Sequence, residues 1–242
     1  GSTGDGYALA KQAGHTIVPP EPALVPLEVQ EQWCAELMGL SLRNVSLRLY
    51  NGKKCLYEAL GEMLFTHFGV SGPLVLTASS LLPDVIPKDG SCRLVLNLKP
   101  GLTPEQLDRR IQRDCAAHPN QAMGTIFRGL LPLKLVPVFL ETVSIPPETK
   151  ANALTREQRF TLVQGLQAFP LHVTARRSLK EAIITRGGVS VKEVQAKTMA
   201  SKLCSGLYFA GELLDVDAYT GGFNLQIAFS TAACVADAIK ET

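Results

Sequence analysis

The chain has 242 residues, 46% hydrophobic and 19% charged, with a formal net charge of +2. This composition excludes a disordered chain and leaves room for a sizeable core, in one large domain or two smaller ones. The near-zero charge gives no electrostatic reason to expect nucleic acid or an anionic membrane surface as partner, and no apolar run is long enough to span a bilayer.

The first predicted element is a short helix, with Asp5 as its N-cap and Tyr7, Ala8, Leu9, Ala10 and Ala13 along it, ended by Gly14. Residues 15–27 hold several prolines and read as extended chain. From Leu40 the stretch LSLRNVSLRLYNGKKCLYEALGEMLFTHFGVSG alternates apolar and polar residues, and Asn51-Gly52 signals a hairpin. SCRLVLNLKP is another strand. At Thr103 the period changes to helical, with Thr103 as N-cap and Pro104 in the first position. QAMGTIFRGLLPLKLVPVFLETV reads as helix broken by Pro132 and Pro137. TREQRFTLVQGLQAF is a further helix, and strands return in LHVTARRSLKEAIITRGGVSVKEVQ. The order suggests nesting: a β-rich layer (residues 23–102 and 170–185) encloses a helical block (103–169). Residues 1–22 and 186–242 are expected to pack together as flanking α/β material. Arg109, Arg110 and Arg113 cluster within the helical block and read as a solvated face.

Six cysteines are scattered, with no C-x-x-C pair and no zinc spacing, so no metal site is expected. A reducing cytoplasm is the simplest compartment. No nucleophilic cysteine motif or Ser-His-Asp set is evident.

The closing stretch, GLYFAGELLDVDAYTGGFNLQIAFSTAACVADAI (206–239), carries the chemistry. GLYFAGE reads as a strand buried on both faces, stopping at Gly211 and Glu212. A carboxylate just past such a strand sits where open α/β sheets bind ligands, and an ionised Glu accepts hydrogen bonds from hydroxyls. A helix then begins near Gly222, and its first amides lack intrahelical partners. A carboxylate for hydroxyls beside amides for a carbonyl or anion suits a cofactor with both groups. The alternative is a plain strand–loop–helix link with a flexible acidic turn.

These residues carry a specific resemblance. The closing stretch, together with GSTGDGYALAKQAGHTI, LVPL, GLSLRNVSL, GEMLFTHFGVSGP and EAIITRGGVSVKEVQAKTMASKL, resembles the HI0933-like flavoproteins, the BaiN or YhiN family of NAD(P)/FAD-dependent oxidoreductases. The likeness covers nearly the whole chain and is least specific in the central helices. It implies an α/β fold: a two-part, glutathione-reductase-type FAD-binding domain interrupted by a β-barrel-like domain with a helical insert. It implies that Gly211 and Glu212 meet the ribityl chain of FAD. Thr220, Gly221, Gly222, Phe223 and Asn224 would face the flavin pyrimidine edge, and the turn Thr3, Gly4, Asp5 and Gly6 would lie near the flavin. Arg186, Gly187 and Gly188 resemble a loop beside the isoalloxazine in fumarate-reductase-type flavoproteins. The family pattern also raises Asp217 above a plain loop residue. Arg186 is either a group for a substrate carboxylate or carbonyl, or simply exposed. His67 is either a proton donor to substrate or a structural histidine. Asp5 is either only the cap of its helix or part of the turn near the flavin.

The resemblance has one large gap. The family begins with a strand, a G-x-G-x-x-G turn and a helix that hold the FAD pyrophosphate, and none of these occurs here. The expectation is therefore the C-terminal part of an FAD-dependent oxidoreductase that moves hydride between flavin and NAD(P)H or a small organic substrate. Its missing half would be a preceding segment or another chain. The alternative is a non-catalytic substrate or partner module that does not bind FAD by itself. RNA modification, as in related flavoproteins acting on tRNA, is disfavoured by the near-neutral charge.

Overall fold

The structure is a computed structural model and describes residues 3–83 and 85–240; Gly1 and Ser2 of the first motif lie outside the described residues. The chain divides into two units, one of residues 1–26 with 176–242 and the other of residues 27–175.

The second unit is built on a closed barrel. Its strands are β2 (Leu27–Val29), β3 (Ser41–Asn51), β4 (Lys54–Thr66), β5 (Gly69–Ser71), β6 (Cys92–Asn97) and β7 (Phe169–Arg176), in the order β2-β5-β4-β3-β6-β7. Asn51 pairs with Lys54 across the β3–β4 turn, and Gly52 takes the positive φ (58°) that such a turn demands. Period-two alternation sends Leu47 and Leu49 inward from β3, where they meet Leu94 and Leu96 of β6.

Among the described residues, five α-helices belong to this unit: α2 (Pro73–Ser79), α3 (Pro104–Ala117), α4 (Met123–Ile126), α5 (Leu135–Thr142) and α6 (Arg156–Gln167). Thr103 and Thr155 close reciprocal capping boxes with Gln106 and Gln158, which satisfies two orphan amides at each helix start. The expected breaks in 121–143 come as a turn between α4 and α5. Pro132 lies in that turn, but Pro137 sits inside α5. At the third position of the helix its missing N–H costs nothing, because the first turn has no intrahelical acceptor.

Helices and barrel share one core. Phe139 of α5 lies 5.8 Å from Phe169 of β7 and 5.6 Å from Phe127, and Trp33 lies 5.3 Å from Phe169. Phe169→Ala is expected to cost about 3–5 kcal/mol. Urea unfolding followed through Trp33, the one tryptophan in the chain, checks this; a loss below about 1 kcal/mol would mean that this aromatic junction does not hold the helices to the barrel.

The first unit is smaller. Helix α1 (Asp5–Gln12) starts after Gly4, which takes the N-cap position at φ 86°, so Asp5 is the first helical residue and not the cap expected of it. The proline-rich stretch becomes β1 (Ile17–Ala23), antiparallel to β8 (Ile184–Val189), and α7 (Phe223–Lys240) ends the described chain. Ala10, Val189, Val194, Phe209 and Leu214 form the core of this unit. His15 is buried beneath it, with Nδ1 3.1 Å from Glu193 and Nε2 2.7 Å from Ser201 Oγ, and Phe209 packs on its ring edge-to-face. Ser201 Oγ also accepts from the Leu203 and Cys204 amides, so this network ties residues 193–204 to the loop after α1.

Two features of this unit depart from a finished α/β layer. The expected strand at 206–212 is only an isolated bridge between Ala200 and Tyr208, and Phe209 alone of residues 207–210 is fully buried. A parallel strand buried on both faces needs neighbours on both edges, and the described residues supply one bridge. Helix α7 has no buried residue, although Leu225, Phe229 and Ile239 lie along it at 66%, 72% and 56% exposure. No helix among the described residues is long and apolar enough to cross a membrane.

Candidate functional site

In the first unit, the start of α1, strand β8 and the turn Gly211–Leu213 enclose a cavity of about 610 Å³. Thr3, Gly4, Gly6, Tyr7, Pro20, Leu179, Thr185, Glu212 and Leu213 line it. Local chemistry builds each wall. Gly4 turns the chain into α1 with a left-handed backbone, and Asp5 holds Thr3 by accepting its hydroxyl at 2.8 Å. Gly6 leaves room for Leu213, since a Cβ there would come within 2.9 Å of Leu213 Cδ1. The turn is tied to α7 through the Gly211 amide, which donates to Thr231 Oγ1 at 2.9 Å.

Tyr7 is the residue that sequence reasoning missed. Its hydroxyl donates to the Glu212 carbonyl at 3.3 Å and is hydrogen-bonded to Thr185. Burial first, and the nearby Glu212 charge second, push the phenol above its ordinary value, against a smaller opposing pull from Thr185. It therefore stays protonated at neutral pH. A phenol directly after T-G-D-G was the available signal. Nothing local in the sequence points to Thr185.

Thr3, Gly4, Gly6 and Glu212 thus meet at one cavity, with Asp5 supporting Thr3. Gly187 and Gly188 lie in β8, where they are required by packing. A Cβ on Gly187 would come within 2.4 Å of the Pro19 carbonyl, and one on Gly188 within 2.6 Å of the Leu213 carbonyl. Arg186 does not line the cavity. Its guanidinium donates to Glu21 on the neighbouring strand, with Nε 3.0 Å from the carboxylate. Asn224 turns back from α7: its Oδ1 accepts from the Ala218 amide and its Nδ2 donates to the Ala218 carbonyl, both at 2.8 Å. It therefore closes the 218–224 loop and brings Thr220, Gly221 and Gly222 round to the helix start. Gly222, at φ 90° with nothing within 4 Å of its Cβ position, and the exposed Phe223 leave that start open. Asp217 is exposed on the loop. His67 belongs to the barrel unit, exposed on the β4–β5 turn with its ring edge-on to Phe68.

The residues present suit one end of a flavin dinucleotide. Glu212 makes no hydrogen bond or ion pair through its carboxylate among the described residues, so its oxygens remain available to ligand hydroxyls. The open start of an 18-residue helix supplies amides and partial positive charge for a carbonyl or anionic edge. No three His, Cys, Asp or Glu side chains gather as a metal site among the described residues. All six cysteines are free, and burial, with Glu31 beside it, pushes the Cys34 thiol up to about 12, which leaves it inert.

The family model for the HI0933-like protein barrel and H2TH domain matches residues 21–184, more than half the chain. The chain belongs to the HI0933-like family. Among its curated HI0933-like relatives, a 3-dehydro-bile acid delta(4,6)-reductase of Clostridium scindens is 31% identical, over the full chain and 59% of that protein. A ribosomal RNA dihydrouridine synthase of Haemophilus influenzae is 33% identical over 97% of the chain and 55% of its own length. A protein of the same name from Escherichia coli is 30% identical over 99% and 57%. The chain thus spans somewhat under three-fifths of the length of the relatives it matches.

Proposed function

We propose that the chain is the part of an FAD-dependent oxidoreductase that holds the ribityl and pyrimidine end of the flavin. The observation that carries this is the carboxylate of Glu212, without a hydrogen-bond or ion-pair partner among the described residues, on the cavity wall and on a turn tied to the middle of α7 at Thr231. Glu212 accepts from ribityl hydroxyls, and the amides from Gly222 onward face the pyrimidine edge, where they favour negative charge. Bound FAD supplies the hydride chemistry, with NAD(P)H or an organic substrate as the other hydride partner. Tyr7 contributes a phenol that keeps its proton, and Thr185 and the Glu212 carbonyl fix its direction. Arg186, neutralised by Glu21, serves to join β1 and β8.

The relatives' names support a substrate with a reducible double bond. A delta(4,6)-reductase and a dihydrouridine synthase share one step, the addition of two hydrogens across a carbon–carbon double bond.

The test is FAD titration of the full-length protein. Glu212→Gln removes a charged acceptor from ligand hydroxyls, which costs about 1.5–3 kcal/mol, or roughly 10- to 150-fold in affinity. Asp215→Asn, beyond the turn, should change affinity less than threefold. Equal affinities for the two variants would remove Glu212 from this role.

A further inference from the structure

The barrel unit holds a polar cavity that the flavin reading does not use. It measures about 260 Å³ and lies where β7 meets the loop before β6, with Gln30, Pro87, Lys88, Gly90, His172 and Thr174 on its walls. Period two along β7 puts His172 and Thr174 on the outer face of the barrel, while Leu171 and Val173 turn inward. Among the described residues no carboxylate lines this cavity.

Closure of the barrel builds its central group. The Gln30 amide donates to the His172 carbonyl at 2.9 Å, and Glu31, the next residue, continues the ladder with its side chain. Both Glu31 carboxylate oxygens accept from the His172 amide, at 2.9 and 3.2 Å, and Oε1 lies 2.6 Å from Nδ1 of the imidazole. An ionised carboxylate only accepts, so Nδ1 carries the ring proton and Nε2 is left as a lone pair. Glu31 stands behind the ring, outside the cavity lining, and the opposite ring edge faces the cavity wall at Gly90, whose Cβ position is 3.7 Å from His172 Cδ2. Nε2 and the side chains of Gln30, Lys88 and Thr174 make no hydrogen bond or ion pair among the described residues. The neighbouring charges are turned elsewhere. Asp89 accepts from the Ser91 amide at 2.9 Å, and Arg93, opposite His172 on β6, donates to the Gly52 carbonyl and lies over the Tyr50 ring.

We propose that this cavity binds inorganic phosphate as the hydrogen phosphate ion. Lys88, Thr174 and Gln30 donate to its anionic oxygens, and its P–OH donates to His172 Nε2. One acceptor among several donors is the feature that chooses this ligand. Sulfate and carboxylates have no proton to give near neutral pH, so each would set a lone pair against Nε2. A phosphodiester has none either, which separates this site from a nucleic-acid backbone and from a flavin dinucleotide. A phosphate monoester loses its last P–OH with a pKa of about 6. Hydrogen phosphate keeps one throughout the neutral range, and the cavity leaves room for waters on its other oxygens. The site lies within the barrel unit and needs no flavin, so it stands or falls apart from the proposed function.

The test is long-range proton–nitrogen NMR of the imidazole rings in the 242-residue chain, at about pH 8, above the ordinary imidazole pKa of about 6.5. The signals that vanish in His172→Gln belong to His172. They should show the Nδ1–H tautomer and should shift saturably at Nε2 with sodium phosphate, with a dissociation constant of about a millimolar or below. Sulfate and methyl phosphate, at equal ionic strength, should bind about tenfold more weakly. Lys88→Ala should weaken phosphate binding about three- to fivefold, as loss of an exposed charge does. Glu31→Gln gives the sharper result. Its amide oxygen takes the His172 amide and its NH2 then donates to Nδ1, so the ring proton moves to Nε2. The advantage of phosphate over sulfate should then disappear. Far-UV circular dichroism confirms that each variant is folded. No saturable shift with phosphate, or equal binding of the three anions by wild type, would overturn the proposal. A folded Glu31→Gln that changes the tautomer and keeps the preference for phosphate would overturn it too.

Discussion

The 242-residue chain alone is expected to bind FAD no more tightly than micromolar. The cavity wall offers Glu212 for hydroxyls, and the open start of α7, outside the cavity lining, would offer amides for the pyrimidine edge. Nothing in the sequence supplies a G-x-G-x-x-G turn for the pyrophosphate or the acid that follows it for the adenosine ribose. Those contacts are charge-assisted and fall on the most anionic part of the cofactor. Losing two or three of them at about 1.5–3 kcal/mol each removes on the order of 3–9 kcal/mol. At about 1.4 kcal/mol per factor of ten, a nanomolar site becomes micromolar or far weaker. The exposed apolar residues of α7 and the single bridge at Tyr208 leave apolar surface uncovered in this unit among the described residues. Isothermal titration of this polypeptide with FAD is the measurement. Submicromolar one-to-one binding by the short chain would show that the flavin end alone supplies the affinity.

Much of the architecture is legible because its signals are local. Asn51-Gly52 makes a hairpin because the turn needs a positive φ, and Thr103 and Thr155 start helices because their hydroxyls satisfy the first amides. What sequence reasoning missed depends on partners distant in the chain. Thr185 reaches Tyr7 and Glu21 reaches Arg186 only because β1 and β8 pair across more than 160 residues. The strand expected at GLYFAGE has the right residues but only one bridge partner, so hydrophobicity marks where a strand belongs without providing its neighbours. Which charges meet is likewise set by the fold: Asp108 of α3 pairs with Arg159 of α6 across 51 residues. Asn224 shows the same limit: the motif places it at a helix start, and only its geometry shows it closing the preceding loop.

Gly188→Ala is expected to loosen the first unit and displace the turn that carries Glu212. Gly188 holds φ at 130°, a conformation L residues rarely adopt, and its Cβ would lie 2.6 Å from the Leu213 carbonyl and 3.1 Å from the Leu214 carbonyl carbon. Both neighbours are backbone, so no side-chain rotation relieves the contact. Val189, the next residue, bridges Leu214 in parallel, and its carbonyl accepts from the Asp215 amide at 2.9 Å. Separating β8 from this turn therefore breaks the pairing that positions Glu212. Gly206→Ala is the control: its φ of 80° carries similar strain, but nothing lies within 4 Å of its Cβ position. Conformational strain alone should cost Gly206→Ala about 1–2 kcal/mol, whereas Gly188→Ala adds a backbone clash and should lose on the order of 3–4 kcal/mol. Hydrogen exchange separates this from a general effect. Peptides covering 184–189 and 207–216 should lose protection in Gly188→Ala, while β3 and β6 of the barrel keep theirs. If the proposed flavin site holds, the same substitution should weaken FAD binding at least as much as Glu212→Gln, because it moves the carboxylate and the turn together. Unchanged protection at 207–216 would mean that the close approach of β8 does not hold the turn in place.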